Sequence, residues 1–277
     1  MQAVVLVNGK KTHSVSVSDR GLQYGDGVWE TIAIINGKPQ FLNDHLDRLM
    51  LGCQALNISP PDLTVLQDEI QHLSETVNNR AVLKIIITRG SGGRGYRADP
   101  SIKTTSTRIV SLHPWGDHIS NYRENGINLQ LCKTRLAYNP PLSGFKHLNR
   151  LEQVLASAEL NENQEGLMLD FNDHVIEGTM SNVFILDKTK HIKTPRLDDA
   201  TGCGIKGIMR QKAMEWLKNE ACTVSEEPIK IDDVLNAEAV FMSNSIIGLW
   251  GVTSFENKTY SIPPFISQFN QYLDSTL

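Results

Sequence analysis

The chain has 277 residues, 40% of them hydrophobic, and a formal charge of −4 from 27 basic and 31 acidic side chains. That apolar share supports packed cores and excludes global disorder, while the mixed, scattered charge gives no nucleic-acid footprint. The length favours two domains over one, and no apolar stretch reaches a membrane span.

The start, MQAVVLVNGKK, holds an apolar run at 3–7 before Asn8-Gly9. It is too short for a signal sequence and reads as a first strand. Asn8-Gly9 and Asn36-Gly37 each stand between β-prone runs, a strong short-range hairpin signal. In FLNDHLDRLMLGCQALNI the period becomes helical, with Leu46, Leu49, Cys53 and Leu56 on one stripe and Asn43 or Asp44 available as cap. A second helix follows Pro60-Pro61 and carries Leu63, Leu66, Ile70, Leu73 and Val77. Strands are expected at 81–89 and 107–113. The polar segment HPWGDHISNYRENG marks a boundary, giving an N-terminal α/β domain at 1–114, a linker at 115–120 and a C-terminal domain at 121–277.

The second half opens with a strand at 126–133. PPLSGFKHLNRLEQVLASAEL then reads as a turn leading into an amphipathic core helix with leucine at 148, 151, 155 and 160. Short strands GLMLDF, VIEG and NVFILD follow, then a helix within 206–219 and strands around 223–229, 238–243 and 249–254. This mixed α/β pattern lacks the regular alternation of a doubly wound sheet. Cysteines at 53, 132, 203 and 222 form no CxxC, so buried thiols in a reducing, cytoplasmic setting are expected, with no disulfide framework and no metal site.

RGSGGRGY (89–96) contains GxGxxG after a strand, but the following RADPSIKTTSTR has Pro100 and no apolar stripe to open a helix. A dinucleotide site needs that helix. The loop is read either as solvent-facing or as a backbone that lets Arg94 and Arg97 approach an anionic ligand. A second anion cup is suggested by GCGIKGIMRQKAMEWLK (202–218), where three glycines precede a helix whose free N–H groups suit phosphate. Ser243 and Ser245 lie at a strand end, and Arg48 is one more candidate phosphate partner. Each signal is weak singly, since many helices begin after glycine and most helix arginines are solvated.

Lys146 acquires a purpose if the phosphate belongs to a cofactor held covalently. An amine is the side chain that condenses reversibly with an aldehyde. Pyridoxal phosphate needs such an anchor, a phosphate cup and an acid facing its ring nitrogen. Glu177, in VIEGTMSNVF, can be that acid, although by residue type alone an exposed turn glutamate is the commoner case.

SDRGLQYGDGVWET (18–31), HLDRL (45–49), EGTMSNVF (177–184) and GIMRQ (207–211) resemble the fold-type IV pyridoxal-phosphate enzymes, the group of branched-chain and D-amino acid aminotransferases. RGSGGRGY and GFKHLNRLEQVL resemble its lyase branch, and the likeness spans roughly residues 4 to 256. It implies a small N-terminal α/β domain, a larger barrel-like C-terminal domain and a homodimer. By matching motif, Lys146 is the covalent lysine and Glu177 the ring-nitrogen partner. Arg48 binds the phosphate, and Ile208 and Met209 give it backbone N–H groups. Ser245 stands where the aminotransferases often have threonine. The implied substrate is 4-amino-4-deoxychorismate, cleaved to 4-aminobenzoate and pyruvate for folate synthesis, with aminodeoxychorismate synthase as a functional neighbour. Arg94 and Arg97 are the candidate partners of its two carboxylates, and Tyr24 and Trp29 the candidate ring walls. The alternatives are a D-amino acid or branched-chain aminotransferase, and a non-catalytic cofactor- or metabolite-binding protein.

Overall fold

The computed structural model describes residues 4–93, 95–98, 105–198 and 201–275. They fall into two units, Met1–Gly116 with Phe145–Asn149, and Asp117–Gly144 with Arg150–Thr276.

In the first unit β1 (Val4–Val7) and β2 (Lys10–Lys11) join through Asn8 and Gly9, at φ 49° and 80°. Helix α1 (Arg20–Tyr24) is capped by the Asp19 carboxylate and leads to β3 (Gly27–Ile35), which turns at Asn36-Gly37 into β4 (Lys38–Pro39). Helices α2 (Leu42–Ala55) and α3 (Leu63–Ser74) precede β5 (Arg80–Thr88) and β6 (Thr107–Pro114). The antiparallel order is β2-β1-β6-β5-β3-β4. Phe41, in the left-handed region, stands before α2, so Asn43 and Asp44 lie inside the first turn, where Asp44 complements the helix dipole.

Strand alternation gives this sheet two unlike faces. Val28, Glu30 and Ile32 on β3, with Leu83, Ile85 and Ile87 on β5, are buried, and Gly52 of α2 lets that helix close on Val28. Each fully buried Ile or Leu contributes roughly 1.5–3 kcal/mol. Trp29, Thr31, Lys84 and Ile86 point the other way and are half-buried.

In the second unit α4 (His118–Asn125) and β7 (Ile127–Leu131) come first, then α5 (Leu151–Ser157) and β8 (Gln164–Leu169). Strands β9 (Val175–Gly178), β10 (Asn182–Leu186) and β11 (His191–Pro195) precede α6 (Ile208–Asn219) and β12 (Thr223–Glu227). The chain ends through α7 (Ile231–Asn236), β13 (Ala239–Asn244), β14 (Gly248–Phe255), β15 (Lys258–Thr259) and α8 (Pro264–Ser275). Eight strands run in the order β12-β11-β10-β13-β14-β7-β8-β9, with β15 on β14. Val175 of the β9 edge bridges Ile229, just past β12, so the two ends of the order meet and the sheet is nearly a barrel. On the face covered by α8, Phe184 stacks on Phe241 with centroids 4.9 Å apart, and Phe241 also meets Phe265. Burial pushes the Cys132 and Cys203 thiols up to about 12, making them inert packing groups.

The expected core helix over the leucines at 148–160 is corrected. Only Leu151–Ser157 is α-helical, and Leu151, Val154 and Leu155 are 76%, 60% and 59% exposed. Ala156 is the residue that faces the core. A leucine stripe specifies an amphipathic face but not what covers it.

Candidate active site

Lys146 is not on a helix. The carbonyl of Lys146 accepts the Trp29 N–H at 2.9 Å, and the Leu148 N–H donates to the Gly27 carbonyl at 2.9 Å, so residues 146–148 lie against the start of β3. Phe145 anchors the segment in the apolar core, and Asn149 donates to the Gly25 carbonyl. From this backbone the Lys146 Nζ reaches 4.0 Å from the centroid of Trp29. Trp29, expected to line a ring pocket, also has the Lys84 Nζ 4.8 Å from its centroid, and it donates through Nε1 to the His147 carbonyl.

On the opposite face of β3, Glu30 is 1% exposed. Arg48 binds it bidentately, Nε to Oε1 at 2.7 Å and Nη2 to Oε2 at 2.6 Å, and His45 Nδ1 lies 2.7 Å from Oε2. Burial pushes this carboxyl up, but the Arg48 charge and the bonds from His45 and Arg48 outweigh it and hold Glu30 at about 2. The ion pair fixes Arg48, the expected phosphate arginine. Glu30 is a residue the sequence did not single out, because its partners His45 and Arg48 lie 15 and 18 residues further on, in α2.

Tyr24 ends α1. Its ring meets Tyr96 at 5.6 Å and the Arg20 guanidinium at 4.8 Å, and its hydroxyl accepts the Gly95 N–H. Arg20 donates to the Gly95 and Tyr96 carbonyls at 2.9 and 2.8 Å, pinning the glycine-rich loop. Gly90 adopts φ 84°, and a Cβ there would stand 2.1 Å from the Thr105 carbonyl oxygen. Arg97 is exposed in this loop, and Arg94 lies outside the described residues.

In the second unit Glu177 is 3% exposed, next to last in β9. Its Oε2 accepts the Ile205 N–H at 2.8 Å and its Oε1 the Gln153 amide at 3.3 Å. Gly204, at φ 83°, brings the 204–207 loop close to this carboxylate. Asn182 of β10 fastens the same loop by donating to the Ile205 carbonyl at 2.9 Å, and a Cβ on Gly207 would meet Asn182 Oδ1 at 2.0 Å. Ile208 and Met209 then open α6, which no side chain caps. Ser245 is half-buried in the turn after β13.

Glu165 of β8 was not anticipated either. Its Oε1 accepts from Ser181 Oγ, the Met180 N–H and Thr179 Oγ1 at 2.8, 3.1 and 3.3 Å, fixing the turn between Glu177 and Asn182. Burial pushes its carboxyl up to about 7 despite those bonds. Nothing local in the sequence links 165 to 179–181; the pairing of β8 with β9 does.

The family model for class IV amino-transferases matches residues 27–255. The chain belongs to the class IV aminotransferase family. Among class IV relatives it is 36% identical to the aminodeoxychorismate lyase of Vibrio harveyi, over 91% of this chain and 92% of that protein. It is 32% identical to a putative branched-chain-amino-acid aminotransferase of Methanocaldococcus jannaschii, over 87% and 84%. The crystal structure of 4-amino-4-deoxychorismate lyase from Pseudomonas aeruginosa matches with TM-score 0.90 and 35% identity, covering 99% of both chains. The branched-chain aminotransferase of Escherichia coli shares the class IV fold, with TM-score 0.85 at 21% identity over 98% of this chain and 93% of that one.

Proposed function

We propose that the chain is a pyridoxal 5'-phosphate-dependent carbon–oxygen lyase converting 4-amino-4-deoxychorismate to 4-aminobenzoate and pyruvate, toward folate. The observation that carries this is full-length likeness to the lyase in both comparisons, over 91% of the chain for the Vibrio protein and 99% for the Pseudomonas structure. The amine and carboxylate that the chemistry needs, Lys146 and Glu177, are both present.

The donor set fits the cofactor. The first N–H groups of α6 are left over by the helix and suit an anion. The Ser243 hydroxyl is buried with no hydrogen-bond partner among the described residues. It stands opposite Asn182 in the β10–β13 ladder, so it shares the face on which Asn182 meets the 205–207 loop. A buried polar group left unpaired costs about 1–3 kcal/mol, which a phosphate oxygen would relieve.

Lys146 would hold the cofactor at its aldehyde, Glu177 at its ring nitrogen, and Arg48, Ile208, Met209 and Ser245 at its phosphate. When bound, the cofactor supplies an electron sink for the substrate carbon that bears the amine. The Lys146 amine takes the proton from that carbon. The Glu177 carboxylate favours a proton on the ring nitrogen, which deepens the sink. Arg94 and Arg97 are the proposed cationic partners for substrate carboxylate, and Tyr24 and Trp29 would flank its ring. Loss of the ether oxygen releases enolpyruvate, which takes up a proton to become pyruvate, and the remaining ring becomes aromatic.

Incubation with 4-amino-4-deoxychorismate is expected to yield 4-aminobenzoate and pyruvate in equal amounts. Amino exchange between a donor and a keto acid, with no aminobenzoate, would instead assign an aminotransferase. The exposed Leu151, Val154 and Leu155 of α5 support a homodimer, which sedimentation at several concentrations tests. A cytoplasmic setting and the division at 115–120 belong to the same proposal, as does a synthase that aminates chorismate upstream. Among the described residues no helix is long and apolar enough to cross a membrane.

A further inference from the structure

Lys84 stands at the middle of β5, an interior strand of the first unit's sheet, where a lysine is out of place unless something calls for its charge. It is half-buried and shares a sheet face with Trp29 and Thr31, the latter its direct partner across the β3–β5 ladder. Its ammonium lies 4.8 Å from the Trp29 centroid, and no carboxylate among the described residues pairs with it. Its other neighbours on β6 are Ser111, directly opposite, and His113. Ser111 Oγ and His113 Nε2 are 2.9 Å apart. Burial and the Lys84 charge both push His113 down, so that histidine supplies no counter-charge but feels the uncompensated one.

Trp29 is also the ring 4.0 Å from the Lys146 Nζ. Both lysine nitrogens therefore lie against one indole, Lys84 at 4.8 Å and Lys146 at 4.0 Å from its centroid. Attraction to the ring accounts for part of this placement of Lys84, and an anion beside its ammonium would pair with a charge that no described carboxylate meets. We infer that Lys84 binds the ring carboxylate of the substrate, so that the amine at the opposite end of the same six-membered ring is presented to Lys146. The inference rests on the proposed lyase reaction for the identity of that acid. It rests on Lys84, Trp29 and Lys146 alone for the position of the charge. Nothing in the motifs points to it, because an isolated lysine in AVLKIIITR carries no pattern.

The test is calorimetric titration of the holoenzyme with 4-aminobenzoate and with aniline, which keeps the amine and lacks the carboxylate. Lys84→Met keeps length and apolar packing, and Lys84→Arg keeps the charge. The wild type is expected to hold 4-aminobenzoate well above aniline. In Lys84→Met that preference should fall by about 10- to 100-fold, the scale of a hydrogen bond to a charged group, and Lys84→Arg should restore most of it. Wild-type protein that holds the two compounds equally, or Lys84→Met protein that keeps the full preference, overturns the inference. If no 4-aminobenzoate forms from substrate yet the preference depends on Lys84, the reaction assignment fails and the anion site stands.

Discussion

The Lys146 ammonium lies 4.0 Å from the centroid of the Trp29 ring, and the backbone carbonyl of the same lysine accepts the Trp29 N–H at 2.9 Å. One residue thus positions the candidate reactive amine twice, through main chain and through side chain. Trp29→Leu keeps the main-chain bond and removes the aromatic face. It is expected to weaken 4-aminobenzoate binding by about 3- to 10-fold, with Trp29→Phe affected less, read by calorimetry. Unchanged binding in the leucine variant would mean the indole serves only packing.

Arg48→Ala should leave the Glu30 carboxyl buried against His45 alone. Breaking a buried pair costs about 3–5 kcal/mol, visible as a lower urea midpoint. The same carboxyl sets an acid limit. Its folded value is held at about 2, below the ordinary 4.5, so its contribution to stability is present above pH 4.5 and is lost as pH falls toward 2. A melting profile in that window should slope downward with acid in the wild type.

Glu165 works in the opposite sense. Burial raises it from 4.5 to about 7, so the folded state holds its proton more firmly than the unfolded chain does. Its contribution is complete below pH 4.5 and is lost as pH rises through 7. Glu165→Gln cannot titrate, so the wild-type minus variant difference in melting temperature should shrink across that interval. A difference that stays constant with pH would show that the carboxyl does not exchange its proton there.

The local signals in the sequence proved the most legible. Asn8-Gly9 and Asn36-Gly37 make their turns because both positions need positive φ, which these residue types tolerate. Leu46, Leu49 and Cys53 of α2 and Leu66, Ile70 and Leu73 of α3 are buried as read, whereas Leu56 is half-buried and Leu63 exposed. Helix α8 presents Ile266, Phe269, Asn270 and Leu273 at helical spacing, yet it was not read from the sequence. The Lys146 segment misled for a physical reason: its extended geometry is imposed by pairing with β3, more than a hundred residues earlier, and no local periodicity records that. Glu30 with Arg48, and Glu165 with the 179–181 turn, are likewise products of tertiary pairing. Lys146 and Glu177 were found through motif likeness, and the backbone that holds them came only from the fold.

Gly207→Ala tests the phosphate cup. The added methyl would stand 2.0 Å from Asn182 Oδ1, forcing either the loop or Asn182 to move. Overpacking of this kind costs about 1–3 kcal/mol, and pyridoxal phosphate retention in equilibrium dialysis should fall by about tenfold or more. Retention at the wild-type level would place the phosphate elsewhere.

The most direct measurement is borohydride reduction of the pyridoxal-phosphate-loaded protein, followed by peptide mass mapping. The account predicts a pyridoxyl adduct on Lys146, absent from Lys146→Ala protein that remains folded. An adduct on Lys84 or any other lysine, or no adduct on well-folded loaded protein, would contradict it.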